Sequence, residues 1–291
     1  MTRAPFVLIV GVGNMGGAMA SNLLAKGWNV SVSDIDTEKV EYLMSKGAIA
    51  HVNEGLIATD LIAVIVCVVD AAQAESVLFG DSGLAYRLQA GQTVILCPTI
   101  LPHDVESLAA RLAQRGLHTI DAPMSGGPAR AADGTMSLLV ACTNELFAQQ
   151  AELLKALSKN IFRISEKVGD AARTKLVNNL LAGINLVGAA EALALAKKLG
   201  LDTRKTLEVI EQSSGQSWIG SDRMHRALKG DYAPRAHMTL LEKDTRLALA
   251  CAAAAGFNGP LGAAASAVFS SAAAVGFAHL DDAALFKLLT Q

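Results

Sequence analysis

Residues 6–10, "FVLIV", are apolar at every position, the mark of a strand buried on both faces. "NVSVSD" (29–34), "LIAVIVCVV" (61–69), "TVILCPT" (93–99), "HTIDAP" (118–123) and "TMSLLVAC" (135–142) read as further strands. The stretches between them carry helical spacing: "GAMASNLLAKG" (17–27), "AQAESVLF" (72–79), "DVESLAARLAQRG" (104–116) and "NELFAQQAELLKALS" (144–158). Strand alternating with helix predicts an α/β domain with a doubly wound, mostly parallel sheet. After about residue 163 the strand signals stop. The rest of the chain is rich in alanine and leucine, helical in period, and punctuated by Gly200, Gly215, Gly230 and Gly256. The expected division is therefore 1–163 for the α/β domain and 164–291 for an all-α domain. No flexible linker separates them, so a long helix is expected to join the two.

The run 176–196 is long enough to span a bilayer, but Asn178, Asn179, Asn185 and Glu191 fall within it, and a hydrocarbon core penalises all four. It reads instead as a long buried helix. Near the N-terminus, Arg3, an apolar run and Ala18-Met19-Ala20 imitate a secretion signal. The glycines in the same stretch fit a different role, and a cytoplasmic protein is expected.

Composition narrows the classes. With 52% hydrophobic and 18% charged residues over 291 positions, burying two cores is not a difficulty. A net charge of −2 leaves no basic patch for nucleic acid and no polybasic stretch for a membrane surface. Cys67, Cys97, Cys142 and Cys251 sit singly among apolar neighbours and read as reduced core residues. The histidines form no HxH or HExxH pattern, and no metal is expected.

"GVGNMG" (11–16) lies between the first strand and the first helix, the context in which such a pattern binds a dinucleotide. Gly11 permits the tight turn, Gly13 lets the backbone approach a pyrophosphate, and Gly16 allows helix and strand to pack closely. Asn14 and Met15 open the helix, whose N-terminus attracts the phosphates. Asp34 ends the second strand, 23 residues after Gly11, where a carboxylate accepts from the ribose hydroxyls and repels a 2′-phosphate. No arginine follows it in "IDTEK", so NAD is expected over NADP. Asp70, Pro98-Thr99 and "APMSGG" (122–127) fall at the carboxyl ends of strands, where ligands bind. Ser125, Gly126 and Gly127 can present a hydroxyl and open N–H groups to an anion, or can simply form a glycine turn. Lys175, Asn178 and Asn179 stand at i, i+3 and i+4 on one helix face; Ala182 and Gly183, one turn on, leave room for something to approach. They line a site, or the lysine reaches solvent. "GQSWIGSDRM" (215–224) and "LLEKDTRLALA" (240–250), taken alone, read as loop or surface.

Together "GVGNMGGAMASNLLAKG", "DAPMSGG", "DGTMSLLV", "KLVNNLLAG" and "KDTRLAL" resemble the β-hydroxyacid dehydrogenase family, in that family's order and across nearly the whole chain. The resemblance implies an NAD-dependent enzyme acting on a small hydroxy acid and assembling as a homodimer or homotetramer. It implies that Lys175 is the general acid/base, that Asn179 contacts substrate and that Ser125 to Gly127 hold its carboxylate. It places Val68, Val69, Gln73 and Thr99 along the cofactor, with Lys243 against both cofactor and substrate. A buried amine beside a positive nicotinamide ring favours its neutral form, the form a base needs. The chain departs from the family in having Val68-Val69 where Leu-Pro is usual, and Pro98-Thr99 where many members have Ser-Thr. Related imine reductases replace the lysine that this chain keeps. "AAQAESVLFG" (71–80), "GQSWIGSDRM" and "GDYAP" (230–234) resemble the branch that acts on four-carbon sugar acids. The branches acting on 3-hydroxyisobutyrate or tartronate semialdehyde are the alternatives. A non-catalytic, cofactor-sensing protein on the same fold would not need the lysine.

Overall fold

The computed structural model describes residues 6–51 and 61–291. Among these the apolar runs assemble into one nine-stranded sheet. Its strands are β1 (Phe6–Val10), β2 (Asn29–Ser33), β3 (Ile49–Ala50), β4 (Leu61–Val66), β5 (Thr93–Leu96), β6 (His118–Asp121), β7 (Met124–Ser125), β8 (Ser137–Ala141) and β9 (Asn160–Ser165). They lie in the order β3-β2-β1-β4-β5-β6-β8-β7, with β9 beside β8. Pairing is parallel from β3 through β6. β8 runs antiparallel to β6 and β7 and parallel to β9. The order reverses between β1 and β4. That reversal makes the sheet doubly wound and opens a crevice at the carboxyl ends of those two strands.

Burial on both faces explains why the strands are apolar at successive positions. Val7, Ile9, Val30 and Val32 pack with Met19 and Leu23 of α1 (Asn14–Ala25). Beyond α2 (Thr37–Met44), the alternate set Leu8, Val10, Val64 and Val66 packs on the other face. It meets Leu78 of α3 (Ala71–Phe79) and Val105 and Leu112 of α4 (Pro102–Ala113). α5 (Gly127–Ala132) follows β7. The single helix expected over 144–158 is two, α6 (Asn144–Gln149) and α7 (Ala151–Leu157). The break falls at Gln150, whose backbone leaves the helical region and whose side-chain amide donates to the Ile62 carbonyl at 3.2 Å and the Thr93 hydroxyl at 3.0 Å.

The chain forms two compact units, Met1–Lys175 and Leu176–Gln291. The division expected after residue 163 falls inside β9, an edge strand whose "NIFRIS" mixes polar with apolar residues. α8 (Asp170–Lys198) runs through the observed division as one 29-residue helix. It is less buried than its sequence suggests. Val177, Leu181 and Leu195, and Leu199 just past its end, are all more than half exposed.

The second unit is helical: α9 (Thr203–Glu211), α10 (Trp218–Ala227), α11 (Met238–Ala254), α12 (Pro260–Ala272) and α13 (Leu285–Leu289). Its core gathers Leu186, Leu193, Met224, Phe269 and Leu285. Ser217 caps α10 by accepting from the Gly220 N–H at 3.1 Å, so the stretch around Trp218 is helical from that residue onward. A buried ion pair, Arg226 to Asp281 at 2.9 Å, ties α10 to the turn before α13. Asp281 also accepts from the N–H groups of Arg235, Ala236 and Ala283.

Candidate active site

The first unit supplies a cradle at the β1–β4 crevice. Gly11 adopts φ +87°, and a Cβ there would meet the Cys67 carbonyl oxygen at 2.5 Å. At Gly16 a Cβ would lie 1.9 Å from the Gly11 carbonyl oxygen, so α1 approaches the turn as closely as backbone allows. Gly13 differs: a Cβ there would meet nothing within 4 Å. It caps α1 without a side-chain hydrogen bond, and Asn14 and Met15 follow in the first turn. Open space over the N-terminus of a helix is what a pyrophosphate requires. Behind the turn, burial pushes the Cys67 thiol up to about 12, so it stays neutral.

Asp34 follows β2, and its carboxylate is already partly engaged. One oxygen accepts from the Val12 N–H at 2.6 Å, the other from the Asp36 N–H at 2.9 Å. A carboxylate offers about four acceptor positions, so two remain for a ribose diol. Ile35 beside it is fully exposed. Val68 and Val69 follow β4. The Val69 N–H donates to Gln73 Oε1 at 2.9 Å, and Asp70 caps α3 through the Gln73 N–H at 2.8 Å. Gln73 thus braces its own turn. Thr99 follows β5 and is partly buried, as is Ser125 at the end of β7. Gly126 takes φ +121°, where only glycine sits without strain, and Gly127 begins α5.

Lys175 is 7% exposed on α8, with the buried Ala171, Ala172 and Leu176 and the partly buried Thr174 beside it on the same helix. The helix start is tied to the sheet by Asp121, at the end of β6. Its Oδ2 accepts from the N–H of Gly169 at 2.9 Å and of Ala172 at 3.1 Å. Burial outweighs these donors and raises Asp121 to about 6.

In the second unit, Asn179 is also buried, whereas Asn178 faces outward. Asn179 donates to Asp244 Oδ2 at 2.6 Å and accepts from Asn178 Nδ2 at 3.0 Å. The Lys243 ammonium lies 2.8 Å from Asp244 Oδ1. Asp244 therefore orients an amide and an ammonium together. Sequence reading passed over it; its adjacency to Lys243 was the available signal. The stretch 240–250, which alone reads as loop or surface, lies inside α11 (Met238–Ala254), with Asp244 buried. The space expected beside Gly183 is taken: a Cβ there would meet Thr245 Cγ2 at 2.6 Å. Glycine at this position lets α8 and α11 pack, rather than admitting a ligand. Among the described residues no group of three His, Cys, Asp or Glu side chains could hold a metal.

A glycine cradle at the topological switch point, with an acidic residue ending the next strand, defines a dinucleotide-binding enzyme. Residues 7–165 match the NAD binding domain of 6-phosphogluconate dehydrogenase, and residues 169–289 match the NAD-binding domain of NADP-dependent 3-hydroxyisobutyrate dehydrogenase. An L-threonate dehydrogenase of Cupriavidus necator is 35% identical over 96% of this chain and 94% of its own. A 3-hydroxyisobutyrate dehydrogenase of Pseudomonas aeruginosa is 37% identical over 97% of each. The crystal structure of a 3-hydroxyisobutyrate dehydrogenase from Salmonella typhimurium superposes with a TM-score of 0.90 at 33% identity, covering 98% of this chain and 99% of that one. The chain belongs to the NAD-dependent β-hydroxyacid dehydrogenase family. It is an NAD-dependent dehydrogenase with a Rossmann-type sheet and a helical second part.

Proposed function

We propose that this dehydrogenase oxidises the hydroxyl β to the carboxylate of a four-carbon sugar acid such as L-threonate, with Lys175 as general acid/base. The observation that carries the reading is a lysine held 7% exposed on a helix whose next turn carries a buried amide, Asn179. When bound, NAD takes up the hydride released from the carbinol carbon. Lys175 Nζ takes the hydroxyl proton as the hydride leaves, and returns it in the reverse reaction. Asn179, its carbonyl oxygen and amide nitrogen both already aligned by Asn178 and Asp244, donates to a substrate oxygen without adding charge. Lys243, braced by Asp244, lies against cofactor and substrate. Ser125, Gly126 and Gly127 hold the carboxylate, which decides which hydroxyl reaches the lysine.

Gly11, Gly13, Asn14, Met15 and Gly16 seat the pyrophosphate, Asp34 the ribose, and Val68, Val69, Gln73 and Thr99 flank the nicotinamide half. The threonate reading draws on the relatives that bear that name; the Pseudomonas relative supports 3-hydroxyisobutyrate as the second reading. The enzyme works in the cytoplasm as a homodimer or homotetramer, a reading supported by the exposed apolar side chains along α8. A panel of C3–C5 hydroxy acids, followed by NADH absorbance, tests the substrate. L-threonate is expected to give the larger kcat/KM; a larger value for 3-hydroxyisobutyrate moves the enzyme to the second reading.

A further inference from the structure

A helix N-terminus leaves four N–H groups without partners in the helix, and a buried start must find acceptors elsewhere. For α8 the acceptor comes from a strand 48 and 51 residues earlier in the chain. Both the Gly169 and the Ala172 N–H converge on a single oxygen of Asp121. Asp121 is 1% exposed and ends β6, which is paired on both sides. Four residues further on, the same chain reaches Ser125. Three residues beyond Ala172, about 4.5 Å along the helix axis, stands Lys175. One carboxylate thus fixes the start of the helix that bears the lysine to the strand that leads into the Ser-Gly-Gly turn.

The other ties at this end are of a different kind. Arg173 reaches Glu106 at 2.7 Å and Asp170 at 3.0 Å, and Ser165 donates to Asp170 at 2.7 Å. These charged groups are a third or more exposed, or nearly so, and exposed pairs hold position weakly. The Asp121 bonds are instead buried in the interior, where a hydrogen bond is electrostatically stronger than in water.

We infer that Asp121 is a positioning residue for Lys175, its carboxylate setting the height and rotation of the first turn of α8 so that the amine meets the substrate hydroxyl. This rests on the reading of Lys175 as general acid/base. Because both N–H groups use one oxygen, asparagine can replace the carboxylate and keep both bonds, whereas alanine keeps neither.

Three variants decide it: Asp121→Ala, Asp121→Asn and Lys175→Met, each measured for kcat, KM, NADH affinity and melting temperature. Asp121→Ala is expected to lose at least tenfold in kcat, with NADH affinity unchanged within threefold. Asp121→Asn is expected to recover kcat to within threefold of the parent, and Lys175→Met to lose on the order of 10² or more. Should the alanine variant not fold, Asp121→Ser, too short to reach both N–H groups, is expected to show the same tenfold loss. A folded Asp121→Ala enzyme with kcat within threefold of the parent, beside an inactive Lys175→Met, overturns the positioning role and leaves the lysine in place. An active Lys175→Met enzyme overturns the reading of the lysine, and the positioning role with it.

Discussion

At the scale of the residue, the two central assignments differ in how the surroundings prepare them. Lys175 is buried on α8, and methionine matches its length without a proton to move. Lys175→Met is expected to keep the fold and NADH affinity while kcat falls by roughly 10²–10⁴. Activity within threefold of the parent, measured on the purified variant, would remove the lysine from the chemistry. Asp34 is prepared by its bonds to Val12 and Asp36, which fix it on the glycine turn before any cofactor arrives. Its negative charge disfavours a 2′-phosphate, so the parent is expected to prefer NAD over NADP by at least about tenfold in kcat/KM. The double change Asp34→Ser with Ile35→Arg is expected to narrow or reverse that preference. It is also expected to weaken NAD itself, since the Val12 N–H loses its acceptor. Equal use of both cofactors by the parent enzyme counts against Asp34 as the discriminator.

At the scale of the element, two helix ends carry buried carboxylates with opposite consequences for pH. Burial comes first for both. For Asp281 it is overcome by Arg226 and by the N–H groups of Ala283, Ala236 and Arg235, which bring it down to about 2. Its contribution to stability is present above the ordinary carboxylate value and is lost as pH falls towards 2. Asp281→Ala leaves the buried Arg226 only the partly exposed Asp222 at 3.5 Å and is expected to cost about 3–5 kcal/mol at neutral pH, read as a lowered melting temperature. For Asp121 burial wins, and the near charge of Asp170 adds to it, with the buried Cys97 thiol the other titratable neighbour. Its folded-state value, about 6, lies well above that of an ordinary aspartate. The stability it brings is full below the unfolded value and is lost as pH rises through about 6. Asp121→Asn should therefore be more stable than the parent at about pH 8, by up to ~3 kcal/mol, with the gap closing on acidification towards the ordinary carboxylate range. A gap that widens on acidification contradicts the sign.

These ends also show what the sequence could and could not reveal. β1, β4, β5 and β8 were legible because strands buried on both faces are near-continuous apolar runs; β2, "NVSVS", was legible by its alternation and β6 by its β-branched Thr119 and Ile120. β3 and β7, two residues each, are too short for any period to register. β9 lies at a sheet edge, and its "NIFRIS" gives neither a continuous apolar run nor a strict alternation. The Gln150 side chain at the helix break bonds to partners 57 and 88 residues away, and the bond from Asn179 to Asp244 spans 65. No local pattern encodes such pairs. The glycine turn and Asp34 were legible because their chemistry demands fixed residue types at fixed offsets along one βαβ unit.

At the scale of the whole molecule, α8 and the residue just past it present Val177, Leu181, Leu195 and Leu199 outward. Steps of four within each pair, and fourteen from Leu181 to Leu195, keep them on one side of the helix. An apolar stripe of this length favours a self-complementary contact. Sedimentation or light scattering is expected to give two or four times the 30.2 kDa chain mass. Leu181→Glu with Leu195→Glu is expected to shift it towards the single chain, and a parent enzyme that runs as a monomer at micromolar concentration rejects the assembly.

The passage of α8 through the boundary between the compact units has a consequence for inheritance and for engineering. Proteins whose cofactor and substrate modules meet at a loop can trade modules by recombination, each half keeping its own folded ends. Here the division falls between Lys175 and Leu176, inside an unbroken helix, so a crossover there must splice two half-helices in phase. A glycine or proline left at the splice costs the helix about 1 to 3 kcal/mol. Chimeras joined inside α8 therefore need parents that both continue the helix across the splice. New substrate ranges in such a scaffold are reached by point substitution around a fixed helix rather than by shuffling halves.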